Sequence, residues 1–450
     1  FTAESDQAGV DAYALLKRLL KVTGKPDGLV KKLEGLVKAD PKNVPLRYFL
    51  GREYKDAGNF AAAKPVYEEL LRRAASVEAY EGLLEACLKT KDAVRVVEVL
   101  AEVAGKTSTL DAVKKFVAQL VADKSRLDEV IAAARKLARA SVPDDGKPVA
   151  LAGALLAVEA KRWDDAGELF ELALLHDPKT APAAYLAWGL GLLGDDKHDE
   201  AAKVFRRAVD ENVTPDNPAF HTYLALSLEF AGKTEEALAM AAKAAELGKG
   251  ELRFESRIPW ILYHAKRYAE AAAAYKKLIA KFDGDHKSDD DRRQLREARL
   301  SLSNIYVQIG DVPKAEEPLE QILDEFPEDI GAMNDLGYLW ADQNKNLELA
   351  LGMIRKAVAS DPKNRAYRDS LGWVYYRLRR FTEAVAEMEI AAAVEKGEDE
   401  PDGVIFDHLG DCYAAAGRQD EAAKAWTRAV AAFEKAKDAE KAAITRKKLK

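Results

Sequence analysis

DHLGDCYAAAGRQDEAAKAWTRAVAAFEK, residues 407–435, decides the fold of this chain. Leu409-Gly410, Tyr413, Gly417, Ala422, Trp426 and Ala429 punctuate it. The same offsets return one unit earlier as Leu371-Gly372, Tyr375, Ala384, Met388 and Ala391. They return at Leu302-Ser303, Tyr306, Gly310, Ala315, Leu319, Ile322 and Pro327, and far upstream at Leu50-Gly51, Tyr54, Gly58, Ala63, Tyr67 and Leu70. Leu336-Gly337, Trp340, Ala350, Ile354, Ala357 and Pro362 follow the pattern with one extra residue in the turn. Leu to Tyr is a four-residue step, so both lie on one face of a first helix. Ala, a bulky residue and Ala again, at steps of four and three, make an apolar stripe on a second helix. The Gly or Asn between the stripes supplies a left-handed residue that ends the first helix. The small Gly or Ala lets the two helices approach, and the bulky residue fills the space beside it. Asp-Pro at 40–41, 177–178 and 361–362, with Phe-Pro at 326–327, closes the second helix. Each unit is a hairpin that cannot bury its apolar faces alone, and stacking buries them.

This pattern resembles the tetratricopeptide repeat (TPR), about 34 residues per unit. Units begin near residues 10, 44, 147, 182, 218, 252, 296, 330, 365 and 403. The first is carried by Leu16, Leu20, Gly24, Leu29, Leu33, Leu36 and Pro41. Residues 78–146 read as degenerate helical hairpins that lack most signature residues. The expected fold is all-α, one right-handed α-solenoid of about twelve hairpins over residues 1–450. Its parts are two hairpins at 10–77, further hairpins at 147–282, four strong ones at 296–436 and a charged capping helix at 437–450. A polar insertion at 283–295, within DGDHKSDDDRRQ, reads as a loop or a helix extension. Pro259 kinks its helix or delays its start, whereas Pro65 and Pro318 fall near second-helix N-termini, where proline is tolerated. The segments NDLGYLWAD, DSLGWVYYR and DHLGDCYAA look most like repeats of bacterial envelope-associated TPR proteins.

Composition narrows the function. The formal net charge of −7 comes from interspersed acids and bases, which argues against nucleic acid as the main partner. No run of 18 apolar residues exists to span a membrane. Cys87 and Cys412 lie far apart, each inside a helical pattern, and read as small buried residues. The chain begins at Phe1, not Met, which points to a processed or trimmed N-terminus. With the likeness of the last repeats, this favours the bacterial envelope or periplasm over the cytoplasm.

No catalytic constellation emerges. The six histidines form no HExxH and have no cysteine partners at metal-ligand spacing. No P-loop, GxGxxG or GxSxG is present, so neither an enzyme nor a cofactor is expected. Asp283, Asp285, Asp289, Asp290 and Asp291 invite a calcium reading. Lys287 and Ser288 stand where an EF-hand loop needs a ligand and a glycine, and the closing Glu is missing. A solvated loop is the better reading, and no metal site is expected.

By the resemblance, the first helix of each hairpin faces a concave groove. Groove positions follow the small signature residue and the signature aromatic: Arg52 and Lys55, Trp260 and Tyr263, Asn304 and Val307, Tyr338 and Ala341, Trp373 and Tyr376, Asp411 and Ala414. Tyr48, Arg257, His264, Asn334, Asp369 and Arg377 lie near them on the same helices. Aromatics beside arginine suit a protein- or peptide-binding groove, because they give large contact area at low entropic cost. The competing reading packs Trp260 and Trp373 against neighbouring hairpins. Trp373-Tyr376-Arg377 is the strongest group, since Tyr375 already fills the packing position and leaves Tyr376 turned from the core. The clamp that holds acidic chaperone tails in some TPR proteins is not supported. Asn304 matches one element, but Leu300 replaces its Lys and Asp335 its second Asn. The basic runs at 375–380 and 445–450 are read as complementing helix dipoles.

Three functions remain. The first is a non-catalytic scaffold whose groove binds a segment of another protein to assemble a complex. The second is an architectural subunit of an envelope assembly, held by its convex face or edges. The third is an accessory domain of an enzyme whose catalytic part lies outside this chain.

Overall fold

The computed structural model describes residues 28–140, 148–284, 288–394 and 402–450, with a few positions between 15 and 22. Among these residues every regular element is helical. The chain divides into two compact units, residues 1–248 and 249–450.

The first unit opens with α1 (Gly28–Ala39), the second half of the first repeat. Leu16, Leu20 and Gly24, which carry its first half, lie outside the described residues. Then come the hairpins α2 (Val44–Asp56) with α3 (Phe60–Arg73), and α4 (Val77–Lys89) with α5 (Ala93–Thr107). They are followed by α6 (Lys114–Ala122) with α7 (Lys124–Ala140), and α8 (Val149–Glu159) with α9 (Trp163–His176). The unit closes with α10 (Ala181–Gly194) and α11 (His198–Asp210), then α12 (Ala219–Phe230) and α13 (Thr234–Leu247).

The second unit begins with α14 (Leu252–Glu255) and α15 (Arg257–His264), paired with α16 (Tyr268–Phe282). The hairpins α17 (Asp289–Gln308) with α18 (Val312–Glu325), and α19 (Ile330–Asp342) with α20 (Leu347–Ser360), come next. They are followed by α21 (Arg365–Arg377) with α22 (Phe381–Ala391), and α23 (Gly403–Ala415) with α24 (Gln419–Lys435). A last helix, α25 (Ala439–Lys448), packs on α24. Within each unit the hairpins stack in sequence order, the arrangement of an α-solenoid.

The stacking rests on the small-against-bulky rule of the sequence. A Cβ placed on Gly410 would stand 2.4 Å from the Trp426 ring, and one on Gly372 would stand 2.7 Å from Met388. Each glycine of α21 and α23 therefore admits the bulky residue of its own second helix. The turn glycines Gly58, Gly232, Gly310 and Gly417 hold φ between 72° and 80°, the left-handed value that ends a first helix. Elsewhere the same turn is made by residues that pay a steric cost there, such as Lys161 at 54° and Arg379 at 61°.

The prolines need one correction. Pro65 is the sixth residue of α3 and Pro318 the seventh of α18, past the first turn where proline costs nothing. Each removes one backbone donor from a helix interior. Pro259, in contrast, coincides with a delayed start: the chain breaks at Ser256 between α14 and α15.

The polar insertion is largely a helix extension. Ser288 caps α17, accepting from the Asp291 N–H at 3.1 Å while Asp291 faces the Ser288 backbone. The early start gives α17 two added turns, and an arginine ladder runs from them into the repeat's own first helix. Arg292 bonds Glu325 at 2.8 Å, and Arg299 bonds Glu325 at 3.0 Å and Asp283 at 2.6 Å. Arg296 pairs with Asp329, which also caps α19 by accepting from the Ala332 N–H at 2.9 Å. Asp289 and Asp290 sit in the first turn, where carboxylates suit the helix dipole. Asp285 and Lys287 lie outside the described residues.

Both cysteines are buried free thiols. Burial pushes the Cys87 thiol up to about 11, and Cys412 is raised further by burial and by Asp411.

Candidate protein-binding face

Helices α19, α21 and α23 bring Tyr338, Asp369, Trp373, Tyr376 and Arg377 of the sequence-selected residues together. Leu371, Val374 and Tyr375 bury one face of α21 in the hairpin core. The Tyr375 hydroxyl accepts from Arg355 at 2.9 Å, which completes its packing role. The neighbouring positions Asp369, Trp373, Tyr376 and Arg377 turn toward α19 and α23.

There they form a stack. The Trp373 ring lies 4.1 Å from His408 and 4.8 Å from Tyr376, nearly parallel to both. The Arg377 guanidinium sits 4.8 Å from the centre of the same indole, a cation–π contact. Asp342 of α19 fixes the assembly by accepting from Trp373 Nε1 at 3.2 Å and from Arg377 at 2.8 Å. Arg377 also donates to the Asp342 carbonyl at 2.7 Å. Tyr338 approaches from α19, its ring 6.3 Å from His408.

Beneath the stack, His408 Nδ1 lies 3.0 Å from an Asp369 oxygen, with both residues buried. Burial alone would pull the imidazole down, but the charge and hydrogen bond of Asp369, with Asp407 and Asp411, leave it raised. The Tyr338 hydroxyl is raised by burial and then by Asp342 and Asp369. Tyr376 is raised by burial, with Asp411 next.

The placement of the individual residues refines the sequence reading. Trp373 is only 7% exposed, and Asp369 and Asn334 are equally buried, so these three support the face from behind. A first-helix position can also lie between two neighbouring first helices, which is why spacing alone overstated their access. Ala341 is buried as well. Tyr338, Tyr376 and Arg377 are half-buried and Asp342 is exposed, and these form the accessible rim. Asn304 is exposed on α17 beside Val307, which is 39% exposed. The Asn334 amide donates to Asp335 at 3.2 Å, while its Oδ1 is buried with no hydrogen-bond partner among the described residues. Asp335 is raised, chiefly by burial.

On α15, half-buried Trp260 stacks on exposed His264 at 5.2 Å and carries Arg257 at 5.1 Å. Tyr263 tilts against Tyr268 at 6.0 Å. In the first unit, half-buried Tyr48 meets Tyr67 edge-on at 6.5 Å, exposed Arg52 lies over Phe49 at 5.2 Å, and Lys55 pairs with Glu85. Burial raises Tyr48, helped by Glu78.

His408, Asp342 and Asp407 were missed from sequence. A signal was available: Asn334, Asp369 and Asp407 each stand two residues before the leucine of the Leu-Gly pair. Three polar residues in one register mark a stripe that the framework does not require. Ala414 is half-buried, and Asp411 accepts from Trp426 Nε1 at 3.0 Å.

The tetratricopeptide-repeat model matches residues 48–107, 186–251, 300–365, 343–401 and 370–440. The chain belongs to the tetratricopeptide-repeat family. The TPR chain is 30% identical over 102 residues to the TPR repeat-containing protein PA4667 of Pseudomonas aeruginosa. That match takes in 23% of this chain and 16% of the relative's length. Among solved structures, a tetratricopeptide repeat protein from Parabacteroides merdae aligns with a TM-score of 0.45 at 16% identity, over 59% of this chain and 99% of that one. The APC/C hetero-tetramer Cut9-Hcn1 aligns with a TM-score of 0.42 at 14% identity, over 98% and 96%. YrrB, described as a TPR protein with an unusual peptide-binding site, aligns at 0.33 and 19% identity, over 42% and 91%. The match to the first repeats extends through Thr107, and so includes α4 and α5, which spacing read as degenerate. Their missed small residue is Gly82, where a Cβ would stand 2.4 Å from the Tyr67 ring.

Proposed function

We propose that the protein is a non-catalytic scaffold that binds a segment of another protein on the first-helix face of its second unit. The observation that carries this reading is the Tyr376–Trp373–His408 stack, with Arg377 held on it by Asp342. The hairpin's own core is made by the Leu-Gly pair and Tyr375, while buried Trp373 and His408 pack between repeats. They hold Tyr376 and Arg377 as an ordered aromatic and guanidinium rim, and such residues dominate the energetics of protein interfaces. The rim is held in place before any partner arrives, which lowers the ordering cost of association.

The test is cross-linking followed by affinity capture from the source cells, with wild type beside Val307→Asp and Tyr376→Ala. Both substitutions act on accessible positions and leave Trp373 in place, and circular dichroism checks their folding. Loss of a captured partner by the folded variants supports this face. Retention of every partner by both variants refutes it, and directs attention to the second helices.

A further inference from the structure

Helix α25 shows what kind of side chain the end of this face accepts. Its Lys448 ammonium lies 2.9 Å from Asp407 and 2.8 Å from both oxygens of Asp411. These two carboxylates stand one turn apart on α23, beside the buried Asp369–His408 pair. Thr445 adds a hydroxyl bond to Asp407 at 2.8 Å. Two carboxylates against one ammonium leave a negative charge outstanding at the site.

Apolar contact contributes little to holding α25. Ala442 and Thr445 are its buried side chains, while Ile444 is 51% exposed and Leu449 38% exposed. By contrast, α24 buries Trp426, Phe433 and three alanines. Residues 439–450 carry five cations, Lys441, Arg446, Lys447, Lys448 and Lys450, against the single Glu440. A basic helix is therefore docked on an acidic face chiefly through charge.

The geometry points to Asp407 and Asp411 as a binding site for a lysine- or arginine-bearing helix of a partner protein, filled within this chain by Lys448. A partner's basic side chain takes the carboxylates as Lys448 leaves, and α25 swings away with it. This inference rests on the scaffold reading and gives it a partner chemistry, a basic segment entering at the α23 end.

The experiment titrates the full-length chain with a fluorescent synthetic peptide of the sequence of residues 439–450, followed by anisotropy. Lys448→Glu places a third carboxylate against Asp407 and Asp411, so α25 is released. Hydrogen exchange over residues 439–448 reports that release. Expected is weak binding to wild type and at least tenfold tighter binding to Lys448→Glu. Adding Asp407→Asn and Asp411→Asn to that variant abolishes the gain. Affinity for the Lys448→Glu chain also falls as salt is raised, a readout that stands if the triple variant fails to fold. The proposal is overturned if α25 stays protected in Lys448→Glu. It is equally overturned if the released chain binds the peptide no tighter than wild type, or binds an acidic peptide of equal length as well. Partner capture that depends on Tyr376 but not on Asp407 or Asp411 would sink this inference alone and leave the scaffold reading intact.

Discussion

Helices α8 and α21 are both deeply buried, yet they are buried in opposite ways. In α8 every residue from Val149 to Ala157 is buried, and all of them are aliphatic or glycine. It is surrounded by α5, α7 and α9, so it has no face left to present. In α21 the residues from Asp369 to Tyr375 are buried too, but they include an aspartate, a tryptophan and a tyrosine with polar partners. The first helix is a structural post. The second is a mount, whose buried polar groups hold Tyr376 and Arg377 at an accessible rim. Equal burial can thus serve stability alone or the positioning of a surface, and the polar content tells which.

The comparison can be broken at several points. The largest effect belongs to α8. Leu156→Asp buries a charge with no partner, and should cost at least about 4 kcal/mol and unfold the first unit. Denaturant titration followed by circular dichroism measures it, and a loss near 1 kcal/mol would mean that α8 has access to water. In α21, Asp369→Ala leaves His408 buried beside an empty position, and should cost about 3 kcal/mol. It should also disturb the Trp373 stack, which tryptophan fluorescence reports. If stability falls while the stack persists, Asp369 does not position the rim.

A smaller effect is the pH response of the second unit. Because the His408 pKa is raised above its ordinary 6.5, the folded unit holds that proton more tightly than the unfolded chain. The stabilisation is complete below pH 6.5 and fades as the pH climbs through the raised value. The groups facing it are Asp369 from α21, Asp407 and Asp411 from α23, and Tyr338 from α19, with Lys448 of α25 behind the aspartates. The unfolding midpoint should fall as the pH rises above 6.5, and His408→Gln should reduce that slope. No comparable slope is expected from α8, which carries no titratable group before Glu159. The smallest effect is Arg379→Gly, which relieves the left-handed strain at φ 61° and should stabilise by about 0.5 kcal/mol. A loss of stability on thermal unfolding would show that the arginine side chain, not the turn, matters there.

Most of the hairpin framework was legible because it is local. Leu409 to Tyr413 and Ala422 to Trp426 are steps within one helix, and helical geometry converts such steps directly into faces. The support beneath the rim was not legible, because its contacts cross between repeats. Asp369 and His408 are 39 residues apart, and Asp342 and Trp373 are 31 apart. Spacing identifies that Trp373 leaves the hairpin's own core, but leaves open whether a partner or the neighbouring hairpin covers it. The arginine ladder was hidden for a similar reason. DGDHKSDDDRRQ looks like a solvated stretch until Ser288 and Asp291 start a helix in its middle.

That ladder gives Asp329 an unusual mechanical position. Its one carboxylate ends the backbone of α19 and tethers Arg296 of α17 at the same time. Apolar side chains between stacked hairpins resist separation well but resist sliding poorly, since one buried methyl is much like another. A directional charged contact between successive first helices acts as a torsional stop. It fixes the pitch at which one repeat follows the next, and so the spacing at which successive rim side chains meet whatever is laid along them.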